Sequence, residues 1–218
     1  MYPTSNQLKE KTDYILGLNE KIPEQWDGLI PPQIRTSAII STFGGYEEDN
    51  LIAGIFLERI QEFSKKPEEE TIILLAHGGS NDKAEVLRKK RMKAHIDWVQ
   101  KQFSRPFKNI IGMALREDWP EKRENALNEI KKIIKEGNKE GKVIVISNLL
   151  YGSGPYKHFL KGLNFEMNSK GLAPHPNLTQ WLAKGIDLAI TNKFINKDQT
   201  DVSQWNPNFP TKVTLVSD

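Results

Sequence analysis

The chain contains no cysteine. Disulfides, zinc ribbons, thiol nucleophiles and iron–sulfur clusters are excluded together. Long apolar runs are missing as well. No stretch of ~18 apolar residues occurs, so no transmembrane helix is expected. The opening Met1-Tyr2-Pro3-Thr4-Ser5-Asn6-Gln7 has neither a basic nor an apolar region, and does not read as a secretory signal. Charge of one sign is also scarce. With 31 basic and 28 acidic residues the net charge is +3, too small to argue for a nucleic-acid partner. The one basic block, Arg88-Lys89-Lys90-Arg91, sits in a helical pattern between Glu85 and Asp97. It reads first as a solvated helix face, and second as an anion-steering patch beside a pocket.

What remains is the composition of a folded α/β domain: 218 residues, 38% hydrophobic and 27% charged. Residues 5–18 read as a short helix ending near Gly17. Residues 19–34, with Pro23, Pro31 and Pro32, read as a connection, and 35–43 as a short strand closed by Gly44-Gly45. Residues 47–63 form an amphipathic helix through Leu51, Ile52, Ile55, Phe56, Ile60 and Phe63. Then strands and helices alternate. Thr71-Ile72-Ile73-Leu74-Leu75-Ala76 is a continuous apolar run, as in a strand covered on both faces. A helix is expected over 83–103, a strand over 108–115, and a helix from Pro120 to about 136, before Gly137. A strand follows over 142–146, then a short helix over 155–163 and a weak fourth strand at 165–167. A last helix covers 176–194, with Leu178, Trp181, Leu182, Ile186 and Ile190 inward. The polar segment after 195 reads as an arm.

Such alternation implies a doubly wound parallel sheet with right-handed crossovers. Ligands sit at the carboxyl ends of such strands. Three loops are therefore the place to look: 77–82, 116–119 and 148–155. His77 directly follows the first core strand. Gly78 and Gly79 leave its imidazole uncrowded, so it could ligate a metal or take a proton; the other reading is a structural histidine. Glu117 holds the equivalent place after the second strand and is a candidate second ligand or proton acceptor. In the third loop Gly152 and Gly154 permit close approach of a flat ligand, and the amides at the next helix start could meet a carboxylate or phosphate. His158 falls in the first turn of that helix, facing either cleft or solvent. His175, between two prolines, reads as a turn residue, and His95 as a surface residue.

Two motif tests fail. His-Gly-Gly resembles an esterase oxyanion turn, but no G-x-S-x-G nucleophile elbow accompanies it. Gly152-Ser153-Gly154 is only a G-x-G, and no phosphate-binding loop follows a strand, so no nucleotide is expected.

Ile72-Ile73-Leu74-Leu75-Ala76-His77-Gly78-Gly79 resembles the strand and His-Gly opening of the CbiX-type sirohydrochlorin cobaltochelatases, which are class II tetrapyrrole chelatases with a ferrochelatase-like fold. The segment 115–123 (Leu-Arg-Glu-Asp-Trp-Pro-Glu-Lys-Arg), Gly152-Ser153-Gly154-Pro155-Tyr156 and Gly171-Leu172-Ala173-Pro174-His175-Pro176 resemble a longer group built from two chelatase-like halves. The likeness covers about 71–185. Thr12-Asp13-Tyr14-Ile15-Leu16-Gly17-Leu18 resembles the close of the first half. On that resemblance 1–70 is a helical remnant of a first half, 71–194 a chelatase-like domain and 195–218 a polar tail.

The resemblance implies insertion of Co²⁺ or Fe²⁺, as substrate, into a tetrapyrrole, with no nucleotide. His77 would bind the incoming metal and take up pyrrole protons, and Glu117 would be the assisting acid. The family's second histidine falls near Pro155, with His158 three residues further on as the tentative third ligand. Arg116 and Lys157 could meet substrate carboxylates. A neutral imidazole is required, so activity should fall at acid pH. The alternative is a non-catalytic metal or tetrapyrrole carrier, or a degenerate chelatase half. A homodimer would cover the apolar face of the 47–63 helix if that face had lost its sheet. The chain as written reads as cytoplasmic, or as exported if a leader was lost with a first half.

Overall fold

The computed structural model describes residues 6–23, 26, 28–34, 49–79, 82–116 and 119–190. The expected strand at 35–43 and the segment after 195 lie outside them. The chain divides into two units, one of Met1–Pro3 with Tyr46–Ala183, the other of Thr4–Gly45 with Lys184–Asp218.

The first unit is built on three parallel strands, β1 (Glu70–Ala76), β2 (Asn109–Ala114) and β3 (Lys142–Ser147), in the order β2-β1-β3. β1 is central because it is the most continuously apolar. All seven of its residues are buried, whereas β2 begins exposed. The register pairs Ile73 with Ile111 and with Val145. One face carries Ile73, Leu75, Met113, Val143 and Val145. These pack on Ile130 and Ile134 of α4 (Pro120–Glu140) and on Tyr156 of α5 (Tyr156–Phe159). On the other face lie α2 (Asn50–Gln61) and α3 (Asp82–Gln100). Gly112 of β2 makes room there for Met92 and Ile96 of α3. Helices on both faces make the sheet doubly wound.

α2 begins at Asp49, whose carboxylate accepts from the Leu51 amide at 2.9 Å. Its apolar residues Ile52, Ile55, Phe56 and Ile60 are fully buried. That face is covered within the chain, with α3 and β3 against α2. The turn from α2 into β1 closes on the buried Glu70 carboxylate. It accepts from Ser64 Oγ (2.6 Å) and from the amides of Lys65 (2.7 Å) and Lys66 (3.0 Å).

Several sequence expectations need correction. α4 does not stop before Gly137 but runs one turn further. Gly137 is buried, and a Cβ there would lie 2.8 Å from Val143 Cγ2 and 3.1 Å from Thr71 Oγ1. The glycine serves helix–sheet approach rather than termination. The expected fourth strand is a single bridge between Ile144 and Glu166, and α5 has only four residues. α6 (Pro176–Ile190) buries Leu178 and Trp181, but Ile186 and Ile190 are exposed.

In the second unit, α1 (Asn6–Ile15) ends at Gly17, whose φ of +71° only glycine adopts freely. The chain then returns so that the Ile34 amide donates to the Ile15 carbonyl at 2.7 Å. Tyr14 meets Trp26 edge-on at 5.5 Å.

Candidate functional site

The carboxyl ends of β1, β2 and β3 finish level with one another. The Leu115 amide donates to the Ala76 carbonyl (2.9 Å), and the Asn148 amide to the Leu75 carbonyl (2.8 Å). The three loops therefore leave the sheet side by side. His77 stands at the first residue after the central strand and is half-buried. A parallel sheet binds ligands at this end.

The loop after β1 touches the loop after β2. Gly78 has φ +120°, and a Cβ on it would lie 2.9 Å from both the N and the Cα of Arg116. Only glycine permits that approach. Arg116 has φ +54°, the one non-glycine with positive φ among the described residues. The Gly79 amide donates to the buried Glu85 carboxylate at 2.7 Å, tying the loop to the first turn of α3. Asp82 accepts from Arg116 Nη1 (3.0 Å) and from Lys122 Nζ (2.6 Å). The hydrogen bonds from Lys122, then from Arg116, hold this carboxyl below the ordinary carboxylate range. One acid thus links the starts of two helices that follow two different strands.

The third loop is held by a second segment of chain. The Leu172 and Ala173 amides donate to the carbonyls of Leu149 (2.9 Å) and Leu150 (2.7 Å). Gly171 lies backbone against backbone there: a Cβ would be 2.8 Å from Gly152 N and from Leu149 O. Ser147 Oγ donates to the Gly152 carbonyl at 3.0 Å. Gly152 (φ +65°) and Gly154 (φ +52°) both take the left-handed region. The space beside Gly154 is filled by Leu149. Four residues are too few for α5 to build a useful helix dipole, so its start is a poorer anion site than the sequence suggested.

The structure places His77, Gly78, Gly79 and Arg116 together. Glu117 and Asp118 lie outside the described residues, as do Ser80 and Asn81. His158 is on α5, exposed, with its ring edge-on to Phe159 at 6.0 Å. Among the described residues, no three His, Asp or Glu side chains converge. Lys157, expected near substrate carboxylates, lies 3.2 Å from Ser169 Oγ.

Two histidines differ from their expected roles. His95 is not a surface residue. It is 5% exposed on α3, against Phe56 of α2, and burial pushes its imidazole down to about 4 despite the Asp49 charge. His175 is more than a turn residue. Its Nδ1 accepts from the Asn177 amide (3.1 Å) at the start of α6, and its Nε2 meets Glu58 of α2 at 2.9 Å. The basic block is solvated at Lys89 and Lys90, whereas the Arg88 side chain is 11% exposed and lies beside Glu85.

Sequence reasoning missed four exposed apolar side chains. Val86, Leu87, Trp119 and Tyr151 are all exposed, each within a few residues of a strand-end loop. The signal was present: large apolar residues in loops and early helical turns, where solvent-facing polar residues are usual. The Lys122 ammonium sits 4.8 Å over the Trp119 ring. A separate cleft of about 440 Å³ opens at the opposite, amino end of the strands, beside the Lys108–Glu140 ion pair. It is remote from all three loops.

No protein-family model matches the chain. No curated protein matches it either. Among solved structures the chain resembles SirB from Bacillus subtilis with Fe³⁺, at a TM-score of 0.51 and 15% sequence identity. The match covers 69% of this chain, which spans 59% of the length of that one. At this identity the likeness speaks for the fold, and the chain has a chelatase-like α/β fold.

Proposed function

We propose that the three strand-end loops form a site for inserting a divalent metal, Co²⁺ or Fe²⁺, into a tetrapyrrole. The observation that carries this reading is His77, at the carboxyl end of the central strand and beside two glycines, ringed by loops that bear exposed Trp119 and Tyr151. The motif resemblance to class II chelatases and the fold likeness to a protein solved with Fe³⁺ support it from different sides.

Insertion needs a metal held by few protein groups, so that it can be handed on. It also needs a base for the two pyrrole N–H protons, and a surface that holds the flat ring. His77 supplies the imidazole that binds the metal and accepts a proton. Glu117 is the assisting acid and His158 the third ligand. Val86, Leu87, Trp119 and Tyr151 offer apolar and aromatic area for the macrocycle. Gly78 lets the backbone of Arg116 come up against the loop beside His77.

A carrier that binds metal or tetrapyrrole without turnover is the second reading. Pro155, standing where the resemblance places a second histidine, favours it. Absorbance of sirohydrochlorin with Co²⁺ or Fe²⁺ at neutral pH separates the two. Multiple turnovers above the spontaneous rate, lost in His77→Ala, support insertion. A single stoichiometric spectral shift leaves the carrier, and no shift at all sinks both readings.

A further inference from the structure

We infer that Glu85 is a positioning residue for His77: through the Gly79 amide, its buried carboxylate fixes the loop that aims the imidazole. What His77 then binds rests on the metal reading above; the positioning rests on the loop alone. Two glycines follow His77, and a Gly-Gly segment has no side chains to restrict its path. Left to itself, the ring's direction would vary with that path, whereas a metal ligand has to be held in place to act. The strand holds one side of His77, where the Leu115 amide donates to the Ala76 carbonyl at 2.9 Å. On the other side two successive residues are pinned by different elements. Gly78 lies against the backbone of Arg116, after β2. The Gly79 amide donates to Glu85 Oε2, on α3, at 2.7 Å.

Glu85 is a costly residue to use for that contact. It is 6% exposed, and a carboxylate is seldom buried without strong partners. Arg88, one turn further along α3, brings its Nε only to 3.9 Å. The first turn of α3 favours the negative charge, but an exposed acid would serve the helix as well without losing its water. A capping acid normally closes on the residue that starts its own helix. Glu85 instead reaches back past Asp82, the first residue of α3, to a glycine two residues from His77. A bond from a backbone amide to a carboxylate is charge-assisted and strong. The element that supplies it is firmly seated, with Met92 and Ile96 of α3 packed into the space above Gly112 of β2. The Gly79 bond therefore ties the His77 loop to a rigid support.

The test compares Glu85→Ala with Glu85→Gln in the whole chain at neutral pH. Ala removes the acceptor, and Gln keeps a carbonyl oxygen for the Gly79 amide. The chain has four histidines, so their ring protons can be followed one by one in an NMR spectrum. The His77 resonance, assigned by its loss in His77→Ala, should shift or broaden in Glu85→Ala, while that of the exposed His158 stays in place. The Gly79 amide should exchange faster with solvent. Co²⁺, titrated calorimetrically, should bind Glu85→Ala on the order of tenfold more weakly, as when an outer partner of a metal ligand is lost. In all three readouts Glu85→Gln should lie nearer the wild type. Gly137→Ala, overpacked at the far end of the sheet, is the control for lost stability. It should unfold at lower urea and leave the His77 resonance and the Co²⁺ affinity unchanged. If Glu85→Ala fails to fold, Glu85→Asp takes its place, because it draws the carboxylate back by one methylene. An unmoved His77 resonance, a Gln variant no nearer the wild type than Ala, or an equal loss of Co²⁺ affinity in Gly137→Ala would each overturn the positioning role. Co²⁺ binding that survives His77→Ala, with the His77 resonance still following Glu85, would sustain the positioning and overturn the metal reading.

Discussion

His95 makes stability depend on pH in a way that can be calculated. The ring lies between α3 and α2, against Phe56, with Nε2 buried and no partner for it among the described residues. Burial is the larger influence and disfavours the imidazolium; the Asp49 carboxylate favours it but does not prevail. The folded value is about 4, against an ordinary 6.5. The sign follows from linkage. Between these values the unfolded chain binds a proton that the folded chain refuses, so stability is complete above pH 6.5 and is lost as pH falls towards 4. The loss attributable to this one residue is on the order of 1 kcal/mol by pH 5.5 and on the order of 2–3 kcal/mol by pH 4.5. Carboxylates titrate in the same range, so wild type must be compared with His95→Leu. The variant is of similar volume and leaves no unsatisfied ring nitrogen. It should match or exceed the wild type at pH 7.5, by up to ~1 kcal/mol. Urea unfolding at pH 7.5, 5.5 and 4.5 is the assay. The gap between the two proteins should widen by the amounts given as pH falls. Parallel stability curves would refute the assignment of a buried, neutral histidine.

Gly78→Ala should cost ~1–3 kcal/mol, because φ +120° is hostile to a Cβ that would also strike Arg116; urea unfolding reads the loss, and any metal or macrocycle affinity should fall with it. His175→Ala removes an acceptor from the start of α6 and the link to Glu58, and should lower stability by ~1–2 kcal/mol; a thermal melt unchanged from the wild type would contradict the cap. Gly171→Ala forces a Cβ against the backbone of Leu149 and Gly152. A loss of ~1–3 kcal/mol is expected by urea unfolding, as for other overpacked sites, and limited proteolysis should cut the 148–155 loop faster.

The central sheet was legible because its physics is local. A strand covered on both faces must be apolar through its middle, and 72–76 and 143–146 are. The helices were legible where an apolar stripe recurred at helical spacing, as in α2. Boundaries failed where a tertiary partner decided them. Gly137 reads as a stop from sequence, yet Thr71 and Val143 approach it so closely that a side-chain-free helical residue is what the packing needs. Ile186 and Ile190 continue the stripe of α6 beyond the point where it is buried. A periodic pattern announces a helix but not the extent of the surface that will cover it.

The candidate site divides the same way. His77 and its glycines stand out because a residue following an apolar run in a parallel sheet has a known address, the ligand-binding end. The partners of that address are not encoded nearby. Asp82 meets Lys122 forty residues away, and Gly78 meets Arg116 across two loops. His95 shows the converse: nothing around it in sequence hides it, and only the packing of α2, whose Phe56 lies 39 residues earlier, removes it from water. The two cases have one cause. Where a polar group sits follows from local pattern, but whether it keeps its water follows from what folds over it. Arg116 lost most of its water and kept two donors with no acceptor among the described residues, whereas the buried Glu70 accepts three hydrogen bonds from its own turn. The Arg116 guanidinium keeps one acceptor, Asp82, because what folds over it brings no second one among the described residues.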